Sequence, residues 1–168
     1  MDITQFSSRY RVRVLLPKDA EMVYETLKHN TIFYQYHPPM VTVKSILEDM
    51  NALPPHKGYE DKHYIGFFRE DTLVAVMDLI EHYPQQGIVL LGFFAMNANL
   101  QGQGIGTEII TDCVTYLAQI GFQKARLGID KGNPQSESFW LKNGFAFTGE
   151  AYESDSSTIL VMERTLYG

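Results

Sequence analysis

Alternating hydrophobic and polar positions, together with short apolar runs, mark seven segments of the chain as predicted β-strands. Alternation with a period of two is typical of a strand with one buried face, and a short apolar run is typical of a strand buried on both faces. Glu70 and Asp71 separate two of these segments and predict a tight hairpin turn. The predicted strands cover residues 10–16, 63–69, 72–81, 88–96, 124–130, a segment that begins at Phe145, and residues 158–166.

Hydrophobic residues that recur every three or four positions predict about four helices. The longest begins at Ile105 and ends before Gly121, because glycine favours the left-handed conformation at helix ends. Another begins after Asn133, a side-chain N-cap, and stops at Gly144. The predicted helices cover residues 17–29, 42–50, 105–120 and 134–143, and the proline-marked segments 34–39 and 53–59 are predicted loops. This order of elements predicts a mixed α/β (α+β) sheet whose first half is largely antiparallel.

The composition indicates a single domain over residues 1–168. Of 168 residues, 45% are hydrophobic and 20% are charged, which is enough for one sizeable core. No apolar run reaches membrane-spanning length and the first residues lack a signal-peptide profile, so we expect a cytoplasmic location without membrane contact. The single cysteine, Cys113, excludes an internal disulfide and fits a reducing compartment. A net charge of −6 disfavours nucleic-acid binding and mildly favours cationic partners such as amines.

Three glycines lie where the predicted strand 88–96 gives way to the long helix, in the segment 101–107 with the sequence QGQGIGT. Glycine lets a ligand approach the backbone, and the unpaired N–H groups of a first helical turn lie at the positive end of the helix dipole. We therefore expect this loop to bind a phosphate group. A P-loop is excluded because Gly-Lys-Ser/Thr is missing from it, and a dinucleotide-binding GxGxxG is excluded because Thr107 and Ile109 replace its third glycine.

Gln101, Gly104 and Gly106 fit the pattern Gln/Arg-x-x-Gly-x-Gly/Ala, and the loop resembles the coenzyme A loop of the GCN5-related N-acetyltransferase (GNAT) superfamily. The segment 133–145, NPQSESFWLKNGF, is similar to a later motif of that family, Asn-x-x-Ala-x-x-(Phe/Leu)-(Tyr)-x-x-x-Gly-Phe. The motifs carry the resemblance over residues 87–150, and the order of strands and helices carries it elsewhere. The resemblance implies a GNAT-type fold in which the central sheet splays open.

The resemblance also implies which residues bind acetyl-CoA. The last backbone groups of strand 88–96 would bond the pantetheine arm like an added strand, and the amides of the glycine loop would bind the pyrophosphate. The residues expected to bind this co-substrate are Phe94, Met96, Gln101, Gly102, Gln103, Gly104, Ile105, Gly106, Thr107, Asn133 and Trp140.

The candidate catalytic residues are Asp78, Glu81 and Tyr152. An amine acceptor must lose a proton before it attacks, so a base within reach is useful. Asp78 lies inside an apolar strand, where a carboxylate is either functional or a hydrogen-bonded structural group, and Glu81 lies at the end of that strand, where exposure is the default. Trp140 stands where the family often has a tyrosine that protonates the leaving thiolate, and an indole has no acid function near neutral pH. We interpret Trp140 as a packing residue and Tyr152 as the candidate proton donor.

In the family the acceptor pocket is walled by the segment after the first helix, which makes Tyr34, Tyr36 and His37 candidate acceptor-binding residues; a surface aromatic cluster is the alternative. No metal is expected, because the five histidines lack ligand spacings such as HxH or HExxH. Cys113 follows the apolar side of the long helix, so we interpret it as a packing thiol rather than an acyl-accepting nucleophile.

The resemblance implies transfer of an acetyl group from acetyl-CoA to a primary amine by direct attack in a ternary complex. The acceptor is a small amine, an amino acid or antibiotic, or a protein N-terminus or lysine, and the sequence does not choose among them. A homodimer is one open alternative for the assembly. The competing interpretation is a non-catalytic acyl-CoA-binding or regulatory module, which the substitution at Trp140 keeps open.

Overall fold

Seven strands form one mixed sheet in the order β1-β2-β3-β4-β5-β7-β6 in the computed structural model, which describes residues 1–166. Every neighbouring pair is antiparallel except β4 and β5, which are parallel. The prediction of a mixed α/β sheet of about seven strands with an antiparallel first half is confirmed. The strands are β1 (Arg11–Val14), β2 (Lys62–Arg69), β3 (Thr72–Ile80), β4 (Ile88–Met96), β5 (Lys124–Asp130), β6 (Ala146–Glu153) and β7 (Thr158–Thr165).

Five α-helices accompany the sheet in the described residues, and four of them were predicted. The helix predicted from residue 17 begins as a 3-10 turn, Pro17–Asp19, before α1 starts. None of the helices within residues 1–166 is long and apolar enough to cross a membrane. The helices are α1 (Ala20–Leu27), α2 (Thr31–Tyr36), α3 (Val43–Asn51), α4 (Ile105–Gln119) and α5 (Pro134–Lys142).

The prediction of a loop over residues 34–39 is wrong for its first half, because α2 continues to Tyr36. Tertiary packing stabilises this short helix: Tyr34 is 8% exposed, and the ring of Phe33 meets that of Phe93 edge to face at 5.8 Å between centroids. The Pro38-Pro39 pair marks the end of the helix, and the aromatic run before it carries no helical periodicity from which the helix could be predicted.

Helices pack on both faces of the sheet and bury two hydrophobic clusters. On one face, Ile109, Cys113 and Leu117 of α4 are fully buried in a cluster that also contains Met77 and Val89 of the sheet. On the other face, helices α1 and α3 pack against the first four strands, with Val23, Leu27 and Ile46 at the centre of the second cluster. These α4 positions recur at helical spacing, which is why the sequence predicts them as core.

The central strands β4 and β5 separate after a short stretch of pairing. Three residue pairs join them, from Ile88 with Lys124 to Leu90 with Arg126. On its other edge, β4 continues beside β3 to Met96 and carries a bulge at Gly92, because Asp78 is opposite Phe93 while the next residue is opposite Leu91. The second half of β4 therefore presents an edge that is not paired with β5, and the predicted splay of the sheet is confirmed.

Candidate functional site

The glycine loop joins the end of β4 to the start of α4. Gly102 and Gly104 adopt left-handed φ values of +77° and +80°, which only glycine adopts easily, and Gly104 is the N-cap of α4. No atom of residues 1–166 would lie within 4 Å of a Cβ atom at either position, so the outer side of the loop is open. The first bond of the helix runs from the Glu108 N–H to the Gly104 carbonyl, which leaves the N–H groups of the three preceding residues without a helical partner. The loop therefore presents several amide donors at the positive end of the α4 dipole.

A cavity of about 310 Å³ lies beside this loop. One side is the unpaired edge of β4, and the opposite side is α5, which contributes Gln135, Ser136 and Lys142. The structure brings most of the predicted co-substrate residues together in its wall, namely Phe94, Met96, Gln101, Gly102, Gly104, Gly106, Thr107 and Trp140.

Three predicted co-substrate residues lie outside the wall of this cavity. Ile105 is 6% exposed and packs into the core, whereas the exposed side chain of Gln103 turns back to the carbonyl of Asn99. Asn133 is 1% exposed and caps α5 through its Oδ1, which accepts hydrogen bonds from the amides of Gln135 and Ser136. Its buried Nδ2 has no hydrogen-bond partner within residues 1–166. Asn133 therefore serves as the N-cap of α5, and its role in binding the co-substrate stays a prediction.

The end of β4 is held by Asn30, a residue that the sequence analysis did not single out. Asn30 is 8% exposed; its Nδ2 donates to the Met96 carbonyl over 3.0 Å, and its Oδ1 accepts from Gln101 Nε2. The Asn97 N–H donates to the Val74 carbonyl of β3. Backbone groups of successive residues in a strand point to alternate edges, so those of Phe94 and Met96 point to the opposite, unpaired edge of β4. The Met96 carbonyl is thus already bonded, and the Met96 N–H and the Phe94 groups are those left for a ligand. Asn30 lies between α1 and α2, and nothing in the local sequence indicates that it contacts Met96.

Aromatic side chains form the wall where α5 meets β4. Trp140 is 8% exposed and meets Phe94, Phe139 and Phe145 edge to face, with centroids 6.0, 4.9 and 5.1 Å apart. A Cβ on Gly106 would lie 3.0 Å from the ring of Phe139. Gly106 therefore allows α4 and α5 to pack closely, and the surroundings of Trp140 support its interpretation as a packing residue.

Asp78 lies two residues before the end of β3, on the same face as Val76, which packs with α1 and α3. Both of its oxygens contact Lys62 Nζ, at 2.8 and 3.0 Å, and the two side chains are 14% and 4% exposed. Burial raises the pKa of the Asp78 carboxyl, and the contact with the Lys62 ammonium opposes that shift. The carboxylate is therefore occupied by an ion pair, as the structural alternative for this residue expects.

The structure does not bring Glu81 and Tyr152 to the cavity. Glu81 follows β3 at the end where β4 and β5 still pair, and its Oε2 lies 2.6 Å from His63 Nε2 with 16% of the side chain exposed, so it is less exposed than its position at a strand end predicts. Tyr152 is 56% exposed on β6, and its hydroxyl lies beside Gly128 of β5. Partial burial raises the pKa of the Tyr152 phenol. Their catalytic roles stay predictions.

The candidate acceptor residues Tyr34, Tyr36 and His37 do not form a surface aromatic cluster. Tyr34 is buried, and burial raises the pKa of its phenol, whereas Tyr36 is partly exposed. His37 Nδ1 lies 2.8 Å from Asp130 Oδ1, and the Ser157 hydroxyl donates to the same oxygen. The His37 ring also packs at 5.4 Å on Phe33, which lines the cavity. Asp130 and Ser157 were not predicted as site residues, although a carboxylate at the end of a buried strand is a usable signal.

Cys113 and the histidines are the remaining side chains with reactive or metal-binding chemistry. Cys113 is fully buried with its Sγ 3.9 Å from Met77 Sδ, and burial raises the pKa of its thiol. A thiol held protonated in the core is a poor nucleophile, which supports the interpretation as a packing residue. Within residues 1–166, no three His, Cys, Asp or Glu side chains are grouped as a metal site would require.

The fold is shared with solved acetyltransferases. An acetyltransferase from Thermus thermophilus matches with a TM-score of 0.72 and 17% identity over 93% of this chain and 96% of its own. Spermidine N-acetyltransferase from Vibrio cholerae, solved with CoA and spermine, matches with a TM-score of 0.69 and 16% identity over 95% and 97%. The ribosomal-protein-S18-alanine N-acetyltransferase from Escherichia coli matches with a TM-score of 0.67 and 14% identity over 95% of each chain.

A search of curated proteins found no match at a significant level. The sequence pattern of the acetyltransferase (GNAT) family, in contrast, matches residues 21–145. This range is most of the chain, and it contains the glycine loop, the unpaired edge of β4 and helix α5. The chain therefore belongs to the GNAT family of acetyltransferases.

Proposed function

We propose that this protein transfers the acetyl group of acetyl-CoA to a primary amine by direct attack. The observation that carries the proposal is the cavity between the unpaired edge of β4, the glycine loop and α5. Amide donors, open glycines and an aromatic wall meet there, and these groups match the phosphate, amide and apolar parts of an acyl-CoA.

The residues present fit acetyl-CoA. The open outer side of Gly102 and Gly104 lets a pyrophosphate approach the amides at the start of α4. Each such helix-end interaction contributes about 0.3–1 kcal/mol, or about 2 kcal/mol when partly buried. The Met96 N–H and the Phe94 backbone at the unpaired strand edge suit the amides of the pantetheine arm, which would add to β4 as a strand does. Lys142, which lines the same cavity, adds a cation near the phosphates.

The chemistry proposed is a single acyl transfer. The amine nitrogen bonds the thioester carbonyl carbon, the C–S bond breaks, and its electron pair leaves with the sulfur of coenzyme A. An acyl-enzyme is disfavoured because Cys113, the single cysteine of the chain, is buried. The leaving thiolate does not require an acid in the position of Trp140, since a thiol of this kind has a pKa of about 8.5 and departs as the anion.

A cationic primary amine is the proposed class of acceptor. The chain carries a net charge of −6, which attracts cations through long-range electrostatics. Proteins of the same fold include a spermidine N-acetyltransferase and a ribosomal-protein-S18-alanine N-acetyltransferase, so both small amines and protein N-termini belong in the test.

The test follows thiol release from acetyl-CoA with a panel of amines. The panel contains di- and polyamines, free amino acids, and short peptides with a free N-terminus or a lysine. Each amine is paired with its tertiary, N,N-dimethylated counterpart, which keeps the positive charge but cannot form a stable amide. We expect release with a primary amine, none with its tertiary counterpart, and an acetylated product of matching mass. Binding of acetyl-CoA without release by any amine would favour the non-catalytic module.

A further inference from the structure

We propose that His37 Nε2 accepts the proton of the attacking amine and that Asp130 and Ser157 position the imidazole for this step. The inference rests on the proposed acetyl transfer and assigns its base. The resemblance to the family implies only acceptor binding for His37 and no role for Asp130 or Ser157.

The hydrogen bonds around Asp130 fix the orientation of the imidazole. Asp130 is 5% exposed, and its Oδ1 contacts both His37 Nδ1, at 2.8 Å, and the Ser157 hydroxyl. A carboxylate accepts hydrogen bonds, so this contact favours the tautomer in which Nδ1 carries the proton. The nitrogen with the free lone pair is then Nε2. The ring itself is accessible, because 43% of the His37 side chain is exposed.

The contact between His37 and Asp130 lies at the end of β5, beyond the point where β4 and β5 separate. Asp130 is the last residue of β5, and His37 directly follows α2. The contact between them therefore spans the gap that opens after β4 and β5 separate at Leu90. Phe33, on which the His37 ring packs, forms part of the cavity wall together with Ala95 of β4. His37 does not itself line the cavity, and the proposal places the amine between the imidazole and the cavity wall at Phe33.

The charges around His37 favour the imidazolium that proton transfer creates. Asp130 contacts the ring from β5, with its Oδ1 2.8 Å from His37 Nδ1. The carboxylate thus faces the ring that carries the positive charge once it has accepted a proton. Of the two candidate bases on β3 and at its end, Asp78 has both oxygens on Lys62 Nζ and would have to give up that ion pair to accept a proton, and Glu81 lies away from the cavity beside His63.

The proposed step balances in atoms and charge. As the nitrogen bonds the thioester carbon and the C–S electron pair leaves with sulfur, the extra proton on nitrogen passes to His37 Nε2. The imidazolium then releases that proton to solvent, and Asp130 keeps its charge throughout. Imidazole suits this cycle because it is the side chain whose ordinary pKa lies closest to neutral pH.

The test compares His37→Gln, Asp130→Asn and Ser157→Ala in the full chain, with the best amine of the panel. His29→Gln is the matched control, because His29 is an exposed histidine at the end of α1. We expect His37→Gln to lower kcat by about 100-fold, within the range of general base catalysis, with the Kd for acetyl-CoA and the melting temperature unchanged. The acid limb of the kcat–pH profile should also disappear. Asp130→Asn should move that limb to lower pH, because the ring loses the carboxylate beside Nδ1. Ser157→Ala should move it slightly to higher pH, because Asp130 Oδ1 loses a donor that competes with Nδ1.

Two outcomes separate failure of the inference from failure of the proposed function. If the wild type releases no thiol with any amine, both are overturned. If release occurs but His37→Gln keeps the rate and pH profile of the His29→Gln control, the inference alone is overturned. The tautomer provides a measurement that needs no variant: nitrogen NMR of the wild type should show neutral His37 with the proton on Nδ1, and a proton on Nε2 would contradict the assignment.

Discussion

The glycines at the two ends of α4 provide a direct test of the phosphate-binding loop. Gly104 at the start and Gly121 after the end have positive φ values, +80° and +102°, and a Cβ on either has no described atom within 4 Å. Replacing either by alanine should lower the free energy of unfolding by about 1–2 kcal/mol, because a side chain disfavours this backbone region. The two sites differ in position: Gly104 lines the cavity, and Gly121 lies about 25 Å away along the helix.

The two variants should therefore respond differently to acetyl-CoA. At 100 times its Kd, the ligand should stabilise the wild type by about 2.7 kcal/mol. If Gly104→Ala costs about 2 kcal/mol of helix-end binding, the Kd rises about 30-fold, and the same ligand concentration adds only about 0.9 kcal/mol. For a domain of this size, the thermal shift should fall from about 5–11 °C to about 2–4 °C, as measured by calorimetry with and without ligand.

Gly121→Ala is the control for the backbone effect of the substitution. It should melt at a lower temperature than the wild type but keep the full shift with acetyl-CoA. Equal ligand-induced shifts in Gly104→Ala and Gly121→Ala would refute the assignment of the loop as the phosphate site. The comparison works because both variants start from a similarly strained backbone, so the difference between their shifts reports on binding alone.

Three further substitutions test the packing and charge assignments. Trp140→Phe should keep most of kcat, whereas Trp140→Ala should lose roughly 3–5 kcal/mol of stability or weaken acetyl-CoA binding; a 100-fold fall in kcat for the Phe variant at unchanged Kd would instead mean that the indole N–H acts on the leaving thiolate. Cys113→Ala should lose about 1 kcal/mol of stability in urea unfolding and keep kcat per folded molecule, and an acetylated Cys113 in mass spectrometry would contradict direct transfer. Asp19→Asn should lose about 1 kcal/mol near pH 7, because two hydrogen bonds from Arg13, at 2.9 and 3.1 Å, lower the pKa of the Asp19 carboxyl. That loss should shrink as the pH falls below about 4 through the lowered pKa, since the wild-type carboxylate is then protonated; a pH-independent difference would contradict it.

The fold could be predicted wherever the local sequence pattern and the tertiary contacts favour the same secondary structure. The core-facing residues of α4 recur every three to four positions, so this helix could be predicted. Helix α5 could be predicted because its N-cap, Asn133, directly precedes the proline at its first position. Helix α2 could not, because its stability comes from contacts of Phe33 and Tyr34 with distant parts of the chain. The predicted loop there reflects a real proline signal that fixes only where the helix ends.

The candidate site divides in the same way. The glycine loop is local, and its positions could be taken from the sequence. Asn30, by contrast, meets Met96 across 66 positions of the chain, and His37 meets Asp130 across 93. The burial of Glu81 also depends on a distant partner, His63 on the neighbouring strand. Sequence periodicity carries no information on such contacts, because it reports the face of an element and not the element that covers it.

The separation of β4 and β5 also bears on how this sheet protects an open strand edge. An exposed strand edge usually invites another polypeptide to pair with it, and proteins commonly protect the outer strands of a sheet for that reason. Here an open edge lies in the middle of the sheet, in a cleft that α5 and the glycine loop enclose. A folded neighbour with bulky side chains cannot reach the backbone there, whereas a slender, extended ligand can. The fold thus keeps a hydrogen-bonding edge available and still shields it from other protein chains.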